Sequence, residues 1–203
     1  MKNYLMLNNK KIELTPEQVK EIENSFGFNK IKLSEIPVGE TFKVGGFEFI
    51  VLEQHGFETS VILKDFWKID AFDKESNNYE ESSIRTELNS AFYEEISGVV
   101  GKDNLIQHEV DLTADDGRTD YGVCDDYISL LTGDMYRKYV YILEKYNPKK
   151  YWWLATPHSV ATNGYVHSVR CVDGVGALRN DRCSSGNGVR PFCILKSSIF
   201  VSR

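Results

Sequence analysis

The sequence lacks any run of about 18 apolar residues, so it offers no membrane-spanning helix. Its opening, MKNYLMLNNKKIEL, holds too short an apolar stretch for a secretory leader, and Asn8-Asn9-Lys10-Lys11 interrupts it. The expectation is no signal peptide and residence in the cytoplasm. The four cysteines, Cys124, Cys171, Cys183 and Cys193, form no C-x-x-C pair, which argues against a structural zinc site and for free thiols. The four histidines, His55, His108, His158 and His167, form no H-x-x-x-H or H-E-x-x-H pair, so surface or edge positions are expected and no metal. No G-x-S-x-G, P-loop or dinucleotide fingerprint occurs, and no cofactor is expected. Basic excess is absent too. A net charge of −6 argues against a general nucleic-acid or anionic-membrane binder.

What is present fits an α+β chain: strands first, two main helices, then strands, mostly antiparallel. Residues 1–30 read as a hairpin turning at Asn8-Asn9, followed by an amphipathic helix. Thr15 caps that helix, Pro16 is its first residue, Gln18 completes a capping box, and Gly27 stops it. Residues 31–203 read as the main domain. TFKV and FEFIVLEQ form a hairpin around Gly45-Gly46, and ETSVILKDF adds a strand. SSIRTELNSAFYEEISGVVG has Ile84, Leu88, Ala91 and Phe92 at helical spacing, and GDMYRKYVYILEKY has Tyr136, Val140 and Leu143 on one side. YISLLT, YWWLAT, YVHSVRCV and GVRPFCILK read as strands. Asp111, Asp115, Asp116 and Asp120 have the wrong spacing for a calcium loop and read as a solvated turn. Arg190, entering an apolar strand, reads as structural, through an ion pair or capped carbonyls.

One local absence stands out. The 33 residues from His158 to Arg190 contain no Lys, Glu, Gln, Met or Trp, types that make up about a fifth of the chain. Four arginines, Arg170, Arg179, Arg182 and Arg190, face only Asp173 and Asp181 there, on an otherwise acidic chain. Tyr165, His167, Asn180, Asn187 and several serines add short polar and aromatic groups. That mixture resembles a paratope, with rigid anchors and adaptable hydrogen-bonding groups. The expected ligand-binding residues are Tyr165, His167, Arg170, Arg179, Asn180, Arg182 and Asn187, with Trp153 lining a groove from the supporting strand.

FKVGGFEFIVL, SSIRTELNSAFY, YWWLATP and GVRPFCIL together resemble the DUF6273 family of bacterial and phage proteins, over roughly Leu33 to Val201. The resemblance implies a C-type-lectin-like fold, similar to that of formylglycine-generating enzymes and of the variable proteins of diversity-generating retroelements. It also implies a phage or prophage origin, with a phage particle as a second location. Retroelement mutagenesis of AAC or AAT codons at their first two bases cannot yield Lys, Glu, Gln, Met or Trp, the five types missing from 158–190. The expectation is thus a non-catalytic recognition module for an unknown protein or cell-surface ligand, with a homo-oligomer left open. The alternatives are a cysteine oxidase using Cys183 with Cys171 or Cys193, and a phage structural component or an effector blocking a host protein.

Overall fold

The computed structural model describes residues 4–7, 10–26 and 30–203. Strands β1 (Tyr4–Leu7) and β2 (Lys10–Glu13) pair antiparallel, and helix α1 (Pro16–Phe26) follows. The capping box forms: Gln18 N–H donates to Thr15 Oγ1 at 3.3 Å, and Thr15 N–H donates to Gln18 Oε1 at 3.0 Å. The expected Asn8-Asn9 turn and Gly27 stop lie outside the described residues.

The chain then lays down β3 (Lys30–Lys32), β4 (Thr41–Val44), β5 (Phe47–His55), β6 (Glu58–Leu63) and β7 (Lys68–Asp70). A helical run follows: α2 (Ser83–Glu87), a π-helical stretch (Leu88–Phe92) and α3 (Tyr93–Val100). Next come β8 (Leu105–Ile106), β9 (His108–Asp111), β10 (Val123–Asp126), β11 (Ile128–Ser129) and the second main helix, α4 (Gly133–Leu143). The last quarter holds β12 (Trp152–Pro157), β13 (Ser168–Val172), β14 (Leu178–Arg182), β15 (Asn187–Val189), β16 (Phe192–Lys196) and β17 (Phe200–Ser202). The molecule is mixed α+β and mostly antiparallel.

The larger sheet runs β11-β16-β6-β5-β4-β17-β3, with β8 also on β16. The second runs β14-β13-β12-β15-β7, and its β12–β15 pair is the parallel one. Strands β5 and β12 carry continuous apolar runs, FIVL and WWLA, because both of their faces are buried. Phe49, Val51, Trp153 and Ala155 face one core together with Leu88 and Phe92 of the π-helical stretch. Ile50, Leu52, Trp152 and Leu154 face a second core beneath Tyr136, Tyr139 and Leu143 of α4. Each buried indole removes roughly 150–250 Å² from water, about 4–6 kcal/mol at the usual coefficient, as an upper bound.

The π-helical stretch carries a side-chain anchor to β11. Asn89 pairs with a strand as if it were backbone: its Nδ2 donates to Ile128 O at 2.8 Å, and Ile128 N–H donates to its Oδ1 at 3.2 Å. The β4–β5 turn has both glycines at positive φ, 56° and 90°, as a two-residue hairpin requires.

Three strand readings need correction. YISLLT supplies only Ile128–Ser129 as strand; Leu130 and Leu131 are buried connectors whose apolar character serves the two cores. YVHSVRCV becomes strand only at Ser168, because the residues before it form a pinned loop. GVRPFCILK is two strands in different sheets, with Arg190-Pro191 crossing between them. Arg190 holds that crossing: Nε donates to Leu63 O and a terminal nitrogen to Lys64 O, both at 3.1 Å, and the guanidinium stacks 4.7 Å from the Trp152 ring centre. Burial pushes its pKa down to about 10, so it stays charged at neutral pH.

Candidate functional site

Residues 158–167 connect β12 to β13 as an outward loop with a short 3-10 turn at Ala161–Asn163. Its inner side is fixed by Asn77, which is fully buried. Asn77 Nδ2 lies 2.8 Å from Ser159 O and 3.0 Å from both Tyr165 O and Ser168 O, and its backbone N–H donates to Val166 O at 2.9 Å. Tyr121 donates its hydroxyl to Asn77 Oδ1 at 2.8 Å and accepts Ala161 N–H at 3.0 Å.

The aspartate-rich segment after β9 is an exposed turn, in keeping with the reading from its spacing, and its carboxylates also brace the loop. Ser159 donates to Asp116 at 2.6 Å, Thr162 donates to Asp120 at 2.5 Å, and Arg137 of α4 donates to Asp115 at 2.6 Å. The Ser159 hydroxyl, with help from Arg118, holds the Asp116 carboxyl below the usual carboxylate range. A cavity of about 260 Å³ opens between this segment, the start of α4 and Thr156. Among the described residues, no group of three or more His, Cys, Asp or Glu side chains is placed to hold a metal ion.

The aspartates of 158–190 also serve the fold. Asp173 accepts the N–H groups of Val175 and Ala177 and the Arg179 Nε at 3.0 Å. Ala177 N–H, together with Arg179, keeps its carboxyl below the usual range. Asp181 accepts Arg182 N–H, the Ser185 hydroxyl and Asn187 Nδ2.

The expected binding residues divide. Tyr165, His167, Arg179, Asn180 and Arg182 are exposed, on the loop or on β14, the edge strand of the second sheet. Arg182 and His167 make no side-chain hydrogen bond or ion pair with the described residues. Tyr165 is 48% exposed and leans edge-on against His158 at 5.4 Å. Register places Ser168, Arg170, Asn180 and Arg182 on one sheet face, and Arg179 and Asp181 on the other.

The other three change role. Trp153 lines no groove: it is 0% exposed, and its indole N–H donates to Asp70 O at 3.0 Å. The reason is that β12 is covered on both faces. Asn187 is buried in β15 with its amide bound to Asp181. The Arg170 side chain is 13% exposed, with Nε 3.6 Å from Asp115. It belongs to the bracing of the acidic segment.

All four thiols are free and buried. Burial pushes Cys171 and Cys193 up to about 12 and Cys124 up to about 11, and raises Cys183 as well. None offers a thiolate at neutral pH.

Residues 107–197 match the model of a family described as a domain of unknown function, DUF6273. The match supports that family over the acidic segment, α4 and the strands from β12 to β16. FKVGGFEFIVL and SSIRTELNSAFY lie outside it. No curated protein and no solved structure matches the chain. No helix among the described residues is long and apolar enough to cross a membrane.

Proposed function

We propose that this chain is a non-catalytic recognition module, engaging a protein or cell-surface ligand through residues 161–167 and the outer surface of β14. The observation that carries the reading is a division of labour within one segment. Asn77, Tyr121, Asp116 and Asp120 fix the loop from inside, while Tyr165, His167 and Arg182 point outward with little to do in the fold. Rigid loops carrying short polar and aromatic groups lose little entropy on binding. The proposal includes a C-type-lectin-like arrangement and a phage or prophage origin, both of which rest on the motif resemblance alone.

Retroelement diversification becomes a narrower idea. Val169, Cys171, Val172, Cys183, Asn187 and Val189 are buried, so packing accounts for the absence of long charged side chains at those positions. Diversification would have to act on exposed positions such as Thr162, Asn163, Tyr165, His167, Asn180 and Arg182. The cysteine-oxidase alternative draws no support from four buried, protonated thiols.

The test compares the wild-type chain, a Tyr165→Ala/His167→Ala/Arg182→Ala triple variant and a Tyr141→Ala control as baits on host-cell extract. A protein captured by wild type and control but lost by the triple variant supports the reading. Equal capture by all three baits sinks it.

A further inference from the structure

The chain holds two Asn-Gly pairs, Asn163-Gly164 and Asn187-Gly188, and the fold gives them opposite surroundings. Asn163 closes the 3-10 turn and is exposed, and Gly164 follows in the left-handed region at φ 80°. A Cβ on Gly164 would meet nothing within 4 Å, so no packed neighbour covers that side of the turn. Asn163 and Gly164 themselves make only local bonds, Asn163 N–H to Val160 O at 3.0 Å, Gly164 N–H to Ala161 O at 2.9 Å and Asn163 Nδ2 to Ser159 Oγ at 3.1 Å, while the preceding Ala161 and Thr162 are tied to Tyr121 and Asp120. Opening it breaks none of the bonds made by Asn77.

Asn187 is locked. It lies in β15 between β12 and β7, buried, with Nδ2 on Asp181 Oδ2 at 3.1 Å. Gly188 N–H donates to Tyr151 O at 2.8 Å, and a Cβ on Gly188 would fall 2.4 Å from the Phe66 ring. Attack on Asn187 would require this stretch to leave its pairings with β12 and β7.

We propose that Asn163 is a site of spontaneous, backbone-assisted deamidation and that Asn187 is not. The Gly164 amide nitrogen loses its proton and attacks Asn163 Cγ. The side-chain nitrogen leaves as ammonia and a five-membered succinimide closes. Water then opens the ring: cleavage of the Cγ–N bond gives aspartate, and cleavage at the main-chain carbonyl gives isoaspartate. Water is the sole co-reactant. Glycine at the next position leaves the attacking nitrogen uncrowded.

The product sits within the surface assigned above to recognition, although the chemistry does not depend on that reading. A new carboxylate joins the loop already braced by Asp116 and Asp120, and the amide donated to Ser159 is lost. Isoaspartate also routes the main chain through the former side chain and lengthens the turn. The loop therefore changes charge and shape with the age of the molecule.

The test incubates the full chain in neutral buffer and follows both asparagines by peptide mass mapping with isoaspartate quantification. Asn163 is expected to convert at least about tenfold faster than Asn187 in the native chain, and the two at similar rates in urea. Asn163→Gln removes the native signal. The proposal is overturned if native Asn163 keeps its amide while the urea-unfolded chain loses it, or if native Asn187 converts as fast.

Discussion

Asn77 shows how one side chain can fix a loop without lying on its outer surface. Its amide reaches three carbonyls of the 158–168 region, and its Oδ1 accepts the Tyr121 hydroxyl. Truncation leaves several buried partners unpaired, each worth about 1–3 kcal/mol. Asn77→Ala is expected to cost about 3 kcal/mol and to lower Tm by roughly 6–12 °C in a chain of this size. Amide exchange checks the cause: faster exchange concentrated in 159–168 fits the bracing role, and uniform acceleration contradicts it. Nothing in ESNNYE announces this role, because the partners lie more than 40 residues away in sequence. Arg190 is more legible: an arginine entering an apolar strand is read as structural, through an ion pair or capped carbonyls, and it caps the Leu63 and Lys64 carbonyls. Trp153 was misread for a related reason: alternation says that neighbouring rings face opposite ways, and it cannot say that both faces of β12 are covered.

His108 joins the residue to its strand. Its Nε2 lies 2.9 Å from Ser129 Oγ, Phe192 meets it edge-on at 5.1 Å, and burial lowers its pKa from the ordinary 6.5. The unfolded chain therefore takes up a proton that the folded chain resists. Stability contributed by the neutral imidazole is complete above pH 6.5 and is lost as pH falls below it, by up to about 1.4 kcal/mol per unit until the folded pKa is reached. Urea midpoints measured between pH 6.5 and pH 5 should show that slope, and His108→Gln should flatten it.

At the scale of elements, the β4–β5 turn separates two effects of glycine. A Cβ on Gly45 would lie 2.2 Å from Val99 Cγ1, whereas one on Gly46 would meet nothing within 4 Å, although both have positive φ. Gly46→Ala is expected to cost about 1 kcal/mol from backbone strain alone. Gly45→Ala should cost more, with part of the excess recovered in Gly45→Ala/Val99→Ala, as thermal denaturation of the four proteins would show. Equal costs at the two glycines would contradict the contact. This hairpin, the capping box at Thr15 and the two main helices were legible because turn chemistry and apolar spacing are local. The division of GVRPFCILK between two sheets was not. It depends on Leu63, Lys64 and Trp152 receiving Arg190, and those contacts exist only after folding.

The whole molecule uses two sheets and two cores to carry one irregular loop. Composition singled out 158–190 but could not separate its two populations, because a valine inside β13 and a threonine at the loop tip both count as residues that are neither Lys nor Glu. The fold makes that separation: the inward half packs and braces, and the outward half is exposed, where we propose it meets a ligand. Site-specific photo-crosslinking tests this most directly. A photoreactive side chain would replace Tyr165 or Arg182 on the proposed face, or Tyr141 on the exposed side of α4, and each protein would be irradiated in host cells. The account expects one discrete adduct shared by positions 165 and 182 and absent at 141. Adducts at 141 alone, or the same pattern at all three positions, would contradict a recognition face built from 158–190.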